Sequence, residues 1–260
     1  GEHLPGNQRV ETDLGGVNMT GNIFLAYLDE TSGNLTDVSG YGSNFSTISG
    51  ATYVTDGQIS RGMAFDGAND YICTQDLDSQ DITEEITIAL WIKPNETYTV
   101  AETEYINLVS RLDSANPDSY GLYINSDGKL HLGSQGGNIQ STVATWNKDV
   151  WYFLVGTYRD VGGVRTGELY INGVADILSS DSYDDMAGAS TELCIGGMHD
   201  GNNGNFNGTI DEVAIWNRTL SAEEVLNIYK RGALRLNLSV RPCNDSLCDT
   251  ETWTDFGSNS

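Results

Sequence analysis

Few of the side chains able to do chemistry fall in a catalytic pattern. His3, His131 and His199 lie far apart, in an arm, a strand and a loop, and no Gly-x-Ser-x-Gly or metal-protease motif accompanies them. The adjacent pair Glu84 and Glu85 puts its two carboxylates on opposite faces of any strand it enters. It therefore cannot form the paired acid and base of glycoside cleavage.

Other residues point to covalent modification and cross-linking. The Asn-x-Ser/Thr acceptor pattern occurs at Asn18, Asn34, Asn44, Asn95, Asn207, Asn217, Asn237 and Asn244, about twice the number that chance allows. Several N-glycans are expected, although Asn, Ser and Thr also accumulate together in β-turn loops. Of the four cysteines, Cys243 and Cys248 are closely spaced in CNDSLC, with no zinc-ligand partners. A short disulfide loop is expected there. In a secreted chain Cys73 and Cys194 are the natural second pair, the alternative being two buried free thiols.

The elements that must position these residues are short. From Ile23 onward, apolar runs such as IFLAYL, GMAFDG, ITIALWIKP, YGLYIN, KLHLG, WYFLVGTY and TIDEVAIW alternate with Gly-, Asn-, Asp- and Ser-rich turns. Asn125–Gly128 and Asn172-Gly173 suit hairpins, so consecutive strands pair antiparallel. Ile86, Ile88, Leu90 and Ile92 alternate with Thr87, Ala89 and Trp91, which predicts one core face and one semi-exposed face. The one convincing helix starts at Ser221, with Glu224 at the capping-box position. It carries Val225, Leu226, Ile228 and Tyr229 as its apolar face and stops at Gly232.

The chain is thus an all-β, two-sheet antiparallel sandwich with one short C-terminal helix. An N-terminal arm covers residues 1–22, the domain 23–232, and a tail 233–260. In the tail, Leu234, Leu236, Leu238 and Val240 alternate as an extra strand. At 260 residues the chain is large enough for a substantial core.

The net charge of -24 repels polyanions, which argues against nucleic acid and anionic membrane faces. No apolar run is long enough to span a membrane, and the chain reads as a mature, extracellular or cell-surface protein.

With these elements in order, residues 23–231 resemble the laminin-G-like jelly-roll domain of the concanavalin-A-like lectin/glucanase superfamily, which also contains the pentraxins. The likeness rests on LAYLDETSGNLTDVSGYGSN, GATYVTDGQISRGMAFDGANDYI, ITIALWIKP, WYFLVGTY, ELYING, LCIGG and FNGTIDEVAIWNRTLSAEEVLNIYKRG. It implies a jelly roll whose first and last strands lie together. The Glu-x-Asp-x-x-Glu strand of the superfamily's glucanases is missing, so a non-catalytic protein is expected.

The resemblance also implies a structural calcium ion held by Asp211, with Asp29 and Asp37. The alternative is that Asp211 is an edge carboxylate bonded to backbone amides. A second implied site, at the sandwich rim, involves Asp118, Asn138 and Asp200, against a loop that binds nothing. Trp91, Trp151 and Trp216 fall at core positions, whereas Trp146 and Trp253 are freer to stack on a sugar.

Two functions follow. The first is a glycosylated surface protein that polymerises head to tail through its terminal strand, with copies of itself or neighbouring surface proteins as partners. The second is a calcium-dependent, lectin-like module that binds glycans or proteins.

Overall fold

The computed structural model describes residues 17–99, 105–111, 119–133, 139–176, 191–198 and 204–233, and the backbone of 239–240 and 254–255. In chain order the strands begin with β1 (Asn22–Ala26), β2 (Phe45–Ser49), β3 (Thr52–Val54), β4 (Gly62–Asp66), β5 (Tyr71–Thr74), β6 (Glu85–Pro94) and β7 (Tyr98–Thr99). Next come β8 (Ile106–Ser110), β9 (Gly121–Ile124), β10 (Leu130–Gly133), β11 (Ile139–Gln140), β12 (Thr145–Trp146) and β13 (Tyr152–Val161). The chain continues with β14 (Val164–Ile171), β15 (Val174–Ala175), β16 (Cys194–Ile195), β17 (Asn207–Trp216), α1 (Ala222–Ala233), β18 (Ser239–Val240) and β19 (Thr254–Asp255).

Two antiparallel sheets form the sandwich. The first runs β15-β14-β13-β6-β17-β4-β3, and the second β11-β10-β9-β8-β16-β5-β2. The first and last strands of the domain lie together as expected, because Phe24 to Ala26 of β1 pair with Ile215 to Val213 of β17. The same side of β17 pairs with β4 along Asn207 to Ile210. Asn172-Gly173 turns β14 into β15 with both residues in the left-handed region, as an Asn-Gly hairpin should.

The main core lies between the sheets and takes one residue in two from each long strand. Ile86, Ile88, Leu90 and Ile92 enter it from β6, and Leu122, Ile124, Leu130 and Leu132 enter from the facing sheet. A second apolar cluster covers the outer face of the first sheet, with Trp91, Phe153, Val155, Trp216, Val225 and Ile228 among its members.

That second cluster corrects the expectation of a semi-exposed face on β6. Trp91 is only 3% exposed, and Thr87 and Ala89 are buried as well. Helix α1 lies over them, and Tyr229 stacks on the Trp91 ring at 5.7 Å. A strand in mid-sheet beneath a helix has no solvent face.

The helix begins as its sequence dictates. The Ser221 Oγ accepts from the Glu224 N–H at 3.3 Å, and the Ser221 N–H donates to the Glu224 carboxylate at 2.9 Å. Its end differs from expectation, for α1 runs through Gly232 to Ala233. Gly232 is there for close approach, since a Cβ at that position would lie 2.5 Å from the Trp91 ring.

Residues 17–21, expected to belong to an arm, pack on the domain. Val17 joins the second cluster, and the Arg218 guanidinium donates to the carbonyls of Asn18 and Thr20. Of the expected tail strand only Ser239–Val240 is described, paired antiparallel with Thr254–Asp255.

Candidate functional site

Asp29, Asp37 and Asp211, the three expected metal ligands, are positioned by the seam between β1 and β17. A bulge in β17 opposes two residues, Glu212 and Val213, to the single Leu90 of β6. Glu212 adopts a φ of 54° there. Bulges re-aim side chains, and here consecutive carboxylates go to different partners. Asp211 accepts from the Ile59 N–H at 2.8 Å, while Glu212 pairs with Arg231 of α1 at 2.7 Å.

Asp29 accepts from the Arg61 N–H at 3.0 Å, so Asp29 and Asp211 hold one turn two residues apart. Asp37 serves a different loop. Its carboxylate accepts from the N–H groups of Leu25, Ser39 and Ser43 and from the Ser39 hydroxyl.

Calcium takes six to eight oxygen ligands, which sets a test for the trio. Asp37 already receives four donors, which fill the lone pairs of a carboxylate. Among the described residues, the one set of three His, Cys, Asp or Glu side chains whose ligand atoms come within 4.8 Å of one another is Glu192 with the disulfide pair Cys73 and Cys194. The residues therefore do not fit one ion as a trio. Asp118, Asn138 and Asp200, the expected rim site, lie outside the described residues.

Cys73 and Cys194 form the expected disulfide, linking directly paired residues of β5 and β16. Cys243 and Cys248 lie outside the described residues. Among the acceptors, Asn18, Asn34, Asn44, Asn95 and Asn217 are exposed and Asn207, the first residue of β17, is half-buried. Asn237 and Asn244 lie outside the described residues.

The tryptophans divide differently from expectation. Trp91 and Trp216 are in the second cluster, and Trp151 packs at its border with Lys93 over its ring at 5.2 Å. Trp146 was expected to be free for a sugar, yet it is fully buried in the main core, and its indole N–H donates to the Gly128 carbonyl at 2.9 Å. A buried indole needs such a partner. Trp253 lies outside the described residues.

Sequence reasoning missed a polar row that crosses the second sheet. On the outer face of the second sheet, Gln140, His131, Tyr123 and Asn107 stand directly opposite one another on β11, β10, β9 and β8. The row continues to Asn205 through a bridge from Asn107. Tyr123 and His131 are 2% and 4% exposed but belong to neither apolar cluster. Their rings stack at 5.6 Å, and Tyr105, which is 41% exposed, meets Tyr123 edge-on at 5.4 Å.

The His131 Nε2 lies 3.3 Å from the Asp127 carboxylate, and Lys129 donates to Gln140 at 2.9 Å. Burial pushes the Asp127 carboxyl up. The Lys129 N–H and the charges of His131 and Lys129 outweigh that and hold it below the ordinary carboxylate range.

A signal for the row did exist. The Asn125–Gly128 turn fixes the register of YGLYI on KLHLG, and the apolar alternation of Leu122 and Ile124 with Leu130 and Leu132 sends Tyr123 and His131 to the other face together.

Residues 66–226 match a laminin G family described as the concanavalin A-like lectin/glucanases superfamily. The chain belongs to that superfamily. No curated protein matches it by sequence.

Among solved structures, the binding domain of Paraclostridial Mosquitocidal Protein 1 superposes with a TM-score of 0.64 at 19% identity, over 85% of this chain and 54% of that one. Domain 4 of AbnA, a GH43 extracellular arabinanase from Geobacillus stearothermophilus, in complex with arabinotriose, gives 0.59 at 19% identity, over 80% of this chain and 98% of that one. The botulinum neurotoxin serotype D ligand binding domain in complex with N-acetylneuraminic acid gives 0.60 at 14% identity, over 87% and 54%.

At these identities the likeness is one of fold, and this superfamily member spans about half the length of the toxin domains it matches. The jelly-roll sandwich expected from the sequence is the fold the structure has. Among the described residues no helix is long and apolar enough to cross a membrane.

Proposed function

We propose that this domain is a non-catalytic carbohydrate-binding module that receives a glycan at the margin of its second sheet's outer face, where the Tyr105 ring is exposed. The observation that carries the reading is the Tyr105 ring, 41% exposed and held edge-on against the buried Tyr123. An exposed aromatic ring gives the apolar face of a sugar a surface to stack on. Fold neighbours that hold arabinotriose or N-acetylneuraminic acid support it.

The test is a broad glycan array followed by calorimetric titration of the strongest hit. Tyr105→Ala is expected to weaken binding about tenfold. An array without a hit, or a hit indifferent to Tyr105, removes the reading.

Calcium enters this proposal through Asp29 and Asp211 alone. Addition of calcium to chelator-treated protein should raise its melting temperature, and Asp211→Asn should abolish the rise. The Cys73–Cys194 disulfide supports an extracellular setting. Glycans are proposed on the exposed acceptors, tested by the mass lost on peptide-N-glycosidase treatment. Head-to-tail assembly through the tail rests on sequence alone, and sedimentation of the full chain with and without residues 233–260 tests it.

A further inference from the structure

We infer that the first sugar attached to Asn44 folds back on the Tyr41 ring, so that the glycan is part of the packing of its own loop. The inference rests on the glycosylation reading and adds a contact to it. It is carried by how the loop between β1 and β2 is pinned and by what that loop leaves open.

Asp37 closes the loop on itself. Its carboxylate accepts from the N–H groups of Ser39 and Ser43, both at 2.9 Å, and its own N–H donates to the Asn44 Oδ1 at 3.1 Å. The excursion left over is Gly40-Tyr41-Gly42, with φ of 93° and 79° at the two glycines. A Cβ placed on either glycine would meet nothing within 4 Å, so open space flanks the tyrosine. Tyr41 is 52% exposed. Among the described residues its one hydrogen bond is that of its N–H to the Ser39 Oγ.

The bond from Asp37 also orients the acceptor. With Oδ1 held by that N–H, Nδ2 is the atom left for attachment on an exposed residue. Attachment forms the bond from Nδ2 to C1 of a sugar delivered on a lipid phosphate. The C1–O bond to the phosphate breaks, and the phosphate leaves with the Nδ2 proton. Oδ1 stays able to accept from Asp37 afterwards, so the first sugar departs from a fixed carboxamide.

Three residues of chain span at most about 11 Å, and the Asp37 bonds fold that span back, which brings the ring within reach of the first sugar. The C–H face of a sugar and the face of a phenol ring both leave water when they stack. The other acceptors supply the contrast. Phe206 and Trp216 stand immediately before Asn207 and Asn217, but both are fully buried in the two apolar clusters. Asn18, Asn34 and Asn95 have no aromatic residue among the three positions before them. Asn44 is thus the described acceptor with an exposed ring at hand.

The test uses the full chain from a secretory, N-glycosylating host, with occupancy read by glycopeptide mass. Melting temperatures are compared for the parent, Asn44→Gln, Tyr41→Ala and the double variant. Loss of the Asn44 glycan should lower the melting temperature by about 2–4 °C when Tyr41 is present and by less than about 1 °C in the Tyr41→Ala background. Tyr41→Phe should keep the full shift, because the ring and not the hydroxyl makes the contact. Asn34→Gln, the control, should have the same effect in both backgrounds.

A measurement without variants reads the same contact. In the parent, ring protons of the first sugar on Asn44 should resonate upfield of those on Asn34, displaced by the tyrosine ring current. Equal loss of melting temperature in both backgrounds, or sugar protons without that displacement, overturns the inference and leaves the glycosylation reading intact. An Asn44 that carries no sugar overturns both at this position.

Discussion

On the first sheet Trp91, Phe153 and Trp216 point outward and meet helix α1. On the second sheet Tyr123 and His131 point outward and meet each other, Tyr105 and Asp127. Both faces bury their rings, but only the first does so in an apolar cluster. Apolar area removed from water stabilises by about 25 cal/mol per Å², whereas a buried hydrogen bond contributes only about 1 kcal/mol net. The first outer face is therefore built for stability. The second buries polar rings that meet each other and Asp127 rather than an apolar cluster, and adds less by that measure.

The largest effect expected from breaking this contrast is at Trp91. Trp91→Ala removes the ring beneath Tyr229 and Gly232 and should cost about 3–5 kcal/mol in urea unfolding. Glycan affinity of the protein that remains folded should be unchanged.

Replacing Cys73 and Cys194 by alanine together should cost about 2–4 kcal/mol, measured the same way. That result would place the second sheet's cohesion in its β5–β16 cross-link rather than in its outer row.

Ser221→Ala removes the N-cap of the helix that covers the first sheet, and should cost about 1 kcal/mol. Tyr105→Ala should be the smallest on this scale, within about 0.5 kcal/mol, despite its effect on binding. A large loss of stability there would erase the distinction between the faces.

Acid should act on the helix cover as well. The hydrogen bond from Arg218, which outweighs burial, holds the Glu224 carboxyl below its ordinary 4.5. A depressed carboxyl gives stability that is complete above its unfolded value and is lost as pH falls through the folded one. Unfolding midpoints of the parent should therefore drop below pH 4.5 more steeply than those of Glu224→Gln.

Much of this molecule is legible in its residues one strand at a time. The alternation in ITIALWIKP, the Asn172-Gly173 turn and the Ser221–Glu224 box each depend on neighbours a few positions away, so local chemistry suffices to read them. The pairing of Cys73 with Cys194 was legible too, once secretion was assumed. The fate of Trp146 was not, because a loop tryptophan becomes a core residue only when a distant carbonyl, here that of Gly128, accepts its N–H. Nor did the carboxylates of the seam announce their separate partners, since a one-residue bulge in β17 decides where Asp211 and Glu212 point.

The sequence by itself determined that this is a two-sheet antiparallel sandwich with a capped closing helix, because hydrophobic period and turn chemistry are properties of adjacent residues. Only the tertiary structure decided which outer face the helix covers. It also decided that Gln140, His131, Tyr123 and Asn107 stand in one row, because that alignment depends on the register of four strands at once and on no single stretch of chain.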